Sequence, residues 1–169
     1  PSFPVRGRLR LSEDAADFFK DEDAGVSASN RLRGIVLHDI LSQVSNASDL
    51  KKAVDYAQMT GNLTADEART AFGLLTEALK SVEDRGWFAD DVQLTYNEAS
   101  LIDTDGEIYR PDRVTVCGGK VVIVDYKFGE HQNKYEKQVR KYMDMWRRMG
   151  YEDVSGFLWY VDALSVIEV

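Results

Sequence analysis

The sequence holds little of what builds covalent or metal-clustered scaffolds. Cys117 is the lone cysteine among 169 residues. A disulfide framework, a four-cysteine zinc site and an all-cysteine iron–sulfur cluster within the chain are therefore excluded. Such cysteine usage is expected of a reducing compartment. No apolar run approaches the ~20 residues of a membrane span, so no membrane partner is expected. The opening Pro1-Ser2-Phe3-Pro4 has neither an initiator Met nor a signal-peptide pattern, as expected of a piece cut from a longer chain. There is no repeat and no low-complexity stretch. Positive charge is also in deficit: Lys plus Arg is 21 against 29 for Asp plus Glu, a net charge of −8. That balance argues against a general nucleic-acid coat protein, which needs a basic footprint.

What is present reads as one soluble domain with a real core: 44% hydrophobic and 30% charged residues. Arg6, Arg8 and Arg10 precede an acidic stretch from Leu11 to Asp23, which reads as a solvated short helix or arm broken at Gly25. Residues 1–26 are read as an N-terminal arm or linker, and 27–169 as the domain. Leu32, Ile35, Val36, Ile40, Leu41 and Val44 recur at helical spacing, with Ser27 or Ser29 as cap. A second helix is expected from Ser48 to Met59. A third starts at Thr64, where Glu67 completes a capping box. After Gly86 the pattern turns to strands: Val92 to Tyr96, Ile108 to Val116 and Lys120 to Lys127. The Val121-Val122-Ile123-Val124 run implies burial on both faces. A helix from Gln132 to Met149, with an apolar stripe of Tyr135, Val139, Tyr142, Met143, Trp146 and Met149, precedes strands at Gly156 to Tyr160 and Leu164 to Val169.

Cys117-Gly118-Gly119-Lys120 predicts a two-residue hairpin turn of the primed type, which favours glycine at both centres. Cys117 then pairs with Lys120, Val114 with Ile123, and Asp112 with Asp125. Directly opposed residues have Cβ atoms ~4.5–5.5 Å apart, so two carboxylates meet at the hairpin end away from its turn. Lys127 lies two residues past Asp125 and shares its face. Adjacent carboxylates repel unless a cation sits between them, and a hard divalent ion with oxygen ligands suits them. Such an ion lowers the pKa of bound water and clamps a phosphoryl oxygen. A surface charge cluster is the alternative, but Val114, Val116, Val121 and Ile123 share the face of the acids, and acids at the rim of a buried face are unusual. Pro111 suits the start of a strand or an irregular edge.

Arg110-Pro111-Asp112, a hairpin, then Asp125-Tyr126-Lys127 resembles the signature of the PD-(D/E)xK nuclease superfamily. Within it, the chain resembles the RecB-type nuclease domain at the C-terminus of AddA and RecB helicase–nucleases of the UvrD/Rep type. Gly34-Ile35-Val36-Leu37-His38 and Gln138-Val139-Arg140-Lys141-Tyr142 match that subfamily's Gly-x-x-x-His and Gln-x-x-x-Tyr helices, and the likeness spans Arg31 to Tyr160. The resemblance implies an α/β fold, a restriction-endonuclease-like mixed sheet with an αβββαβ core flanked by helices and a helical N-terminal part. It implies His38, Asp112, Asp125 and the Tyr126 carbonyl as ligands of Mg²⁺ or Mn²⁺, with no iron–sulfur cluster. Lys127 would position the attacking water or stabilise developing charge, making Asp112, Asp125 and Lys127 the catalytic set. Gln138 and Tyr142 would support the site or contact substrate, and Glu98 stands where relatives carry a further acid, although Ala99-Ser100 departs from their usual Pro-Phe. His131 matches no motif and is read as structural.

The resemblance further implies a cytoplasmic Mg²⁺-dependent deoxyribonuclease, exonuclease rather than endonuclease, that serves double-strand-break processing and recombinational repair. Its partners would be DNA, the helicase part of a longer parent chain and a second helicase–nuclease subunit. Two alternatives stand beside it: a catalytically inactive DNA- or protein-binding domain of the same fold, and an acidic interaction module unrelated to DNA. The last long helix carries six basic residues against Glu136 and Asp144. Lys134, Lys137, Lys141 and Arg148 run roughly along one stripe, either a solvated face or a phosphate track that borders Gln138.

Overall fold

A computed structural model describes residues 26–169, with side-chain environments from residue 33 onward. The expected acidic arm over residues 1–25 lies outside the described residues. By internal contacts the chain divides into Pro1–Ile35 and Val36–Val169, and the second unit contains the complete sheet. Four α-helices are found among the described residues: α1 (Val26–Ser42), α2 (Leu50–Met59), α3 (Ala65–Ser81) and α4 (Asn133–Arg148). The strands are β1 (Leu94–Asn97), β2 (Leu101–Ile102), β3 (Ile108–Tyr109), β4 (Arg113–Cys117), β5 (Lys120–Lys127), β6 (Asp153–Tyr160) and β7 (Ser165–Glu168). Five strands form a mixed sheet in the order β1-β4-β5-β6-β7, with β5 and β6 parallel. This is the expected restriction-endonuclease-like mixed α/β architecture.

The local reasons are mostly those read from sequence. Thr64 caps α3, its hydroxyl accepting from the Glu67 N–H while the Glu67 carboxylate accepts from the Thr64 N–H. Ser27 and Ser29 lie inside α1, which is already helical at Val26. Gly118 and Gly119 take φ of 58° and 86°, the left-handed values that a primed turn requires. Cys117 pairs with Lys120 and Val114 with Ile123, in the expected register.

The expected single strand from Ile108 to Val116 is two strands. Ile108–Tyr109 pairs with Leu101–Ile102 in a separate two-stranded sheet, while Arg113–Cys117 joins the main one. Pro111 stands at the break, where it has no N–H to give a ladder. The short strand β2 carried too few residues to show an alternating pattern. Met149 is also displaced from the expected stripe of α4: it is exposed, and Met145 is buried in its stead.

The central strands are buried on both faces, as their Val-Ile run implies. Val114, Val116, Val121, Ile123 and Leu158 pack with Tyr135, Val139, Tyr142, Met143 and Trp146 of α4. On the other face, Val124, Tyr126, Phe157 and Trp159 pack with residues of α1, α2 and α3. Asp125 and Lys127 continue the α4 face of β5, whereas Tyr126 looks toward α1.

Gly156 sets the approach of α4 to the sheet. A Cβ there would lie 2.5 Å from both Met143 Sδ and Val139 Cγ1. Gly73, inside α3, has nothing within 4 Å of the same position. Urea denaturation should therefore show opposite signs. Gly156→Val should lower the unfolding free energy by about 1–3 kcal/mol, and Gly73→Ala should raise it by about 0.5–1 kcal/mol.

Candidate active site

The antiparallel ladder of β4 and β5 stops at Arg113 and Val124, and just past it both acids sit among basic groups. Asp112 and Asp125 are buried, as is Lys127. Asp112 Oδ1 lies 2.7 Å from His38 Nε2, and its Oδ2 accepts a 2.6 Å bond from the Tyr126 N–H. Asp125 Oδ2 lies 2.7 Å from Lys127 Nζ. The ammonium also sits over the Tyr135 ring, 4.4 Å from its centre, where the face of the π-system favours a cation. Two carboxylates and two basic side chains thus share one strand end, each acid with a basic partner.

Electrostatics follows from this pairing. Burial alone would lower the basicity of His38, but the Asp112 carboxylate outweighs it, helped by Glu98 and Asp125, and raises the imidazole pKa to about 9. Burial alone would raise the Asp112 pKa. The charges of His38 and Lys127 and the Tyr126 N–H outweigh that and hold the carboxyl below its usual range. The ring of His38 also meets that of Tyr126 edge-on at 5.9 Å.

Glu98 joins the group. Its carboxylate is 3.4 Å from His38 Nδ1, so the imidazole stands between two acids. Glu98 has φ of 51°, a left-handed conformation costing an L-residue roughly 1–2 kcal/mol. Its N–H is bonded to the Asp112 carbonyl at 3.0 Å, which ties the end of β1 to the acid.

Gln138 and Tyr142, one turn apart on α4, bond to each other: the amide donates to the phenol oxygen at 2.8 Å. Lys134 Nζ is 5.5 Å from the centre of the Tyr135 ring that carries Lys127. Lys137 is exposed. Lys141 is paired with Asp103 at 2.6 Å. Sequence reasoning missed three groups. Arg113 is fully buried and hydrogen-bonded to the carbonyls of Val44, Ser45 and Trp87 and to Asn97 Oδ1. Tyr135, which the helical stripe assigns to the core, also seats the Lys127 ammonium. His131 Nδ1 lies 2.7 Å from the hydroxyl of buried Tyr160, which is paired in register with Lys127. Of these, only Arg113 had a sequence signal, as a cation next to Asp112 inside a strand.

The donor chemistry suits a hard divalent ion: two buried carboxylates and a backbone carbonyl. As they stand, no three His, Cys, Asp or Glu side chains among the described residues are grouped to hold a metal ion. His38 and Lys127 each bond to one oxygen of the carboxylates that such an ion would use, and an ionised carboxylate has further lone pairs to offer.

The pairing makes a stability prediction. Lys127→Met leaves the Asp125 carboxylate buried without its ammonium and should destabilise the chain by about 3–5 kcal/mol. Adding Asp125→Asn removes that charge, so the double variant should lose clearly less than the two single losses together. Chemical denaturation of the three variants gives the coupling; additive losses would contradict it.

No curated protein matches the chain. A family model matches residues 6–167, nearly the full length; the chain belongs to the PD-(D/E)XK nuclease superfamily.

Proposed function

We propose that the chain is a divalent-metal-dependent deoxyribonuclease of exonuclease type, the cutting part of a helicase–nuclease that processes DNA double-strand breaks for recombinational repair. The motor would lie elsewhere in a longer parent chain or in a second subunit, because no Gly-x-x-x-x-Gly-Lys-Ser/Thr loop is present here. The observation that carries the reading is the convergence of buried Asp112 and Asp125 with Lys127 at one strand end. Nucleases of this superfamily generally use divalent metals, and a cytoplasmic setting agrees with the single cysteine.

Asp112, Asp125, His38 and the Tyr126 carbonyl are the residues that would hold Mg²⁺ or Mn²⁺. When bound, the ion would lower the pKa of a water and neutralise charge on a phosphoryl oxygen. Lys127 keeps a positive charge beside the acids, seated on Tyr135, where it stabilises negative charge that develops on the phosphate. Glu98 orients His38 through Nδ1. Gln138 and Tyr142 present an amide and a phenol as a bonded unit toward substrate. Lys134 and Lys137 attract the sugar–phosphate backbone along α4.

A non-catalytic DNA- or protein-binding domain of the same fold is the second reading. It is favoured by the pairing of His38 and Lys127 with the acids in place of a ready metal cluster. One experiment separates the two. End-labelled single- and double-stranded DNA are incubated with Mg²⁺, Mn²⁺ or EDTA, and wild type is compared with Asp112→Ala, Asp125→Ala and Lys127→Ala. The nuclease reading expects cleavage with metal only, and a loss of about two orders of magnitude or more in each variant. Unchanged cleavage by the variants would sink it. Calorimetric titration with Mn²⁺ in the presence of DNA covers the other case: no metal binding favours the non-catalytic domain.

A further inference from the structure

The β2–β3 hairpin ends only three residues before Asp112, and its hold on α4 is slight. Its two strands have two residues each, too few to be stable alone. On its inner side Leu101 and Tyr109 pack against the α4 cluster, and Tyr109 meets Tyr142 at 6.3 Å between ring centres. The remaining ties are electrostatic: Lys141 Nζ lies 5.1 Å from the centre of the Tyr109 ring. Asp103 accepts from Lys141 Nζ at 2.6 Å and from an Arg148 guanidinium nitrogen at 3.0 Å, and from the Thr104 N–H at 2.7 Å.

The pairing is asymmetric. The Asp103 side chain is 4% exposed, whereas Lys141 is 37% and Arg148 49% exposed. The acid is enclosed while both cations still face solvent. Lys134, Lys141 and Arg148 follow one another at steps of seven residues, so all three lie on one line of the helix. That line starts at the ring of Tyr135 beside Lys127 and extends about 20 Å. It is a line of positive charge in a chain of net charge −8.

We propose that Lys141 and Arg148 form a phosphate-binding site for a nucleic-acid backbone and that Asp103 occupies it as an internal substitute for phosphate. An incoming strand competes with the Asp103 carboxylate for the two cations. Its phosphates take their place, the hairpin loses its main tie to α4, and Tyr142 with Gln138 becomes accessible beneath Tyr109. Asp103 thereby restrains binding by the free domain, and the restraint is relieved where a long strand is fed along the helix. The inference rests on the proposed nuclease reading for its ligand, but it concerns binding rather than cleavage.

The test is fluorescence anisotropy with a labelled single-stranded oligonucleotide in EDTA, across a range of salt, for wild type, Asp103→Asn, Lys141→Ala/Arg148→Ala and the triple variant. Asp103→Asn should bind about tenfold more tightly at low salt, with the slope of log K against log salt steeper by about 1.4 for two added phosphate contacts. Removing the two cations should abolish that gain and weaken wild type by a clearly smaller factor, because there the cations are shared with Asp103. Binding by Asp103→Asn that equals or falls below wild type would overturn the proposal. So would equal losses on removing the cations from wild type and from Asp103→Asn. Hydrogen exchange of the wild-type chain covers a variant that fails to fold. The N–H groups of Asp103 and Gly106, bonded within the hairpin to Glu107 and Asp103 carbonyls, should exchange faster when the oligonucleotide is bound; slower or unchanged exchange overturns the idea. A chain that cleaves with metal but shows no Asp103 effect keeps the nuclease reading and loses this one. An Asp103 effect without metal-dependent cleavage does the reverse.

Discussion

The rest of the structure hangs on a buried guanidinium. Arg113 is completely covered, and each of its five N–H groups has an acceptor: Trp87 O twice, Val44 O, Ser45 O and Asn97 Oδ1, at 2.6 to 3.0 Å. Its plane also lies over Phe88, 4.0 Å from the ring centre. Burying a cation is costly unless every donor is met, so the acceptors must stay where they are. Two of them are carbonyls just past the C-terminus of α1, where partial negative charge favours a cation. Arg113 thus ties the end of α1, the Trp87 segment and β1 to the first residue of β4. Asp112 precedes it in the chain and His38 lies on α1, so this tie sets their approach.

The acid pair is tolerated because it is locally compensated. Asp112 and Asp125 would repel if both were ionised alone. His38 and Lys127 answer them, Tyr135 seats the ammonium, and Glu98 bends into a left-handed conformation to reach the far side of the imidazole. Strained backbone of this kind persists when its surroundings over-determine it. Here the Asp112 carbonyl and the His38 ring do so. The oxygens that these side chains hold are the same ones proposed to take a divalent ion.

Much of this was legible in the residues. The Gly-Gly turn, the register of β4 and β5 as far as Arg113 and Val124, and the Thr64 capping box are local rules that need no neighbours beyond the next strand or turn. Gln138 and Tyr142 pair because an α-helix brings residues four apart together. Other features had no local sign. The break at Pro111 creates a separate hairpin only because Leu101 and Ile102 are there to pair with Ile108 and Tyr109. Lys141, on a stripe that reads as a solvated face or a phosphate track, is paired with Asp103, 38 residues earlier and on a different element.

The sequence by itself determined which acids stand at the strand end, which lysine shares the face of Asp125, and which helix positions carry histidine, glutamine and tyrosine. Those follow from periods of two and 3.6 residues, which are properties of a single element. Only the tertiary structure decided the partners of the charges: His38 and Lys127 on the acids, Glu98 behind the imidazole, Arg113 beneath the strand and Asp103 across Lys141 and Arg148. Charge is long-ranged and its cost depends on burial. A lysine on a stripe therefore has no definite role until the fold fixes which carboxylate lies beside it and how much water is left between them.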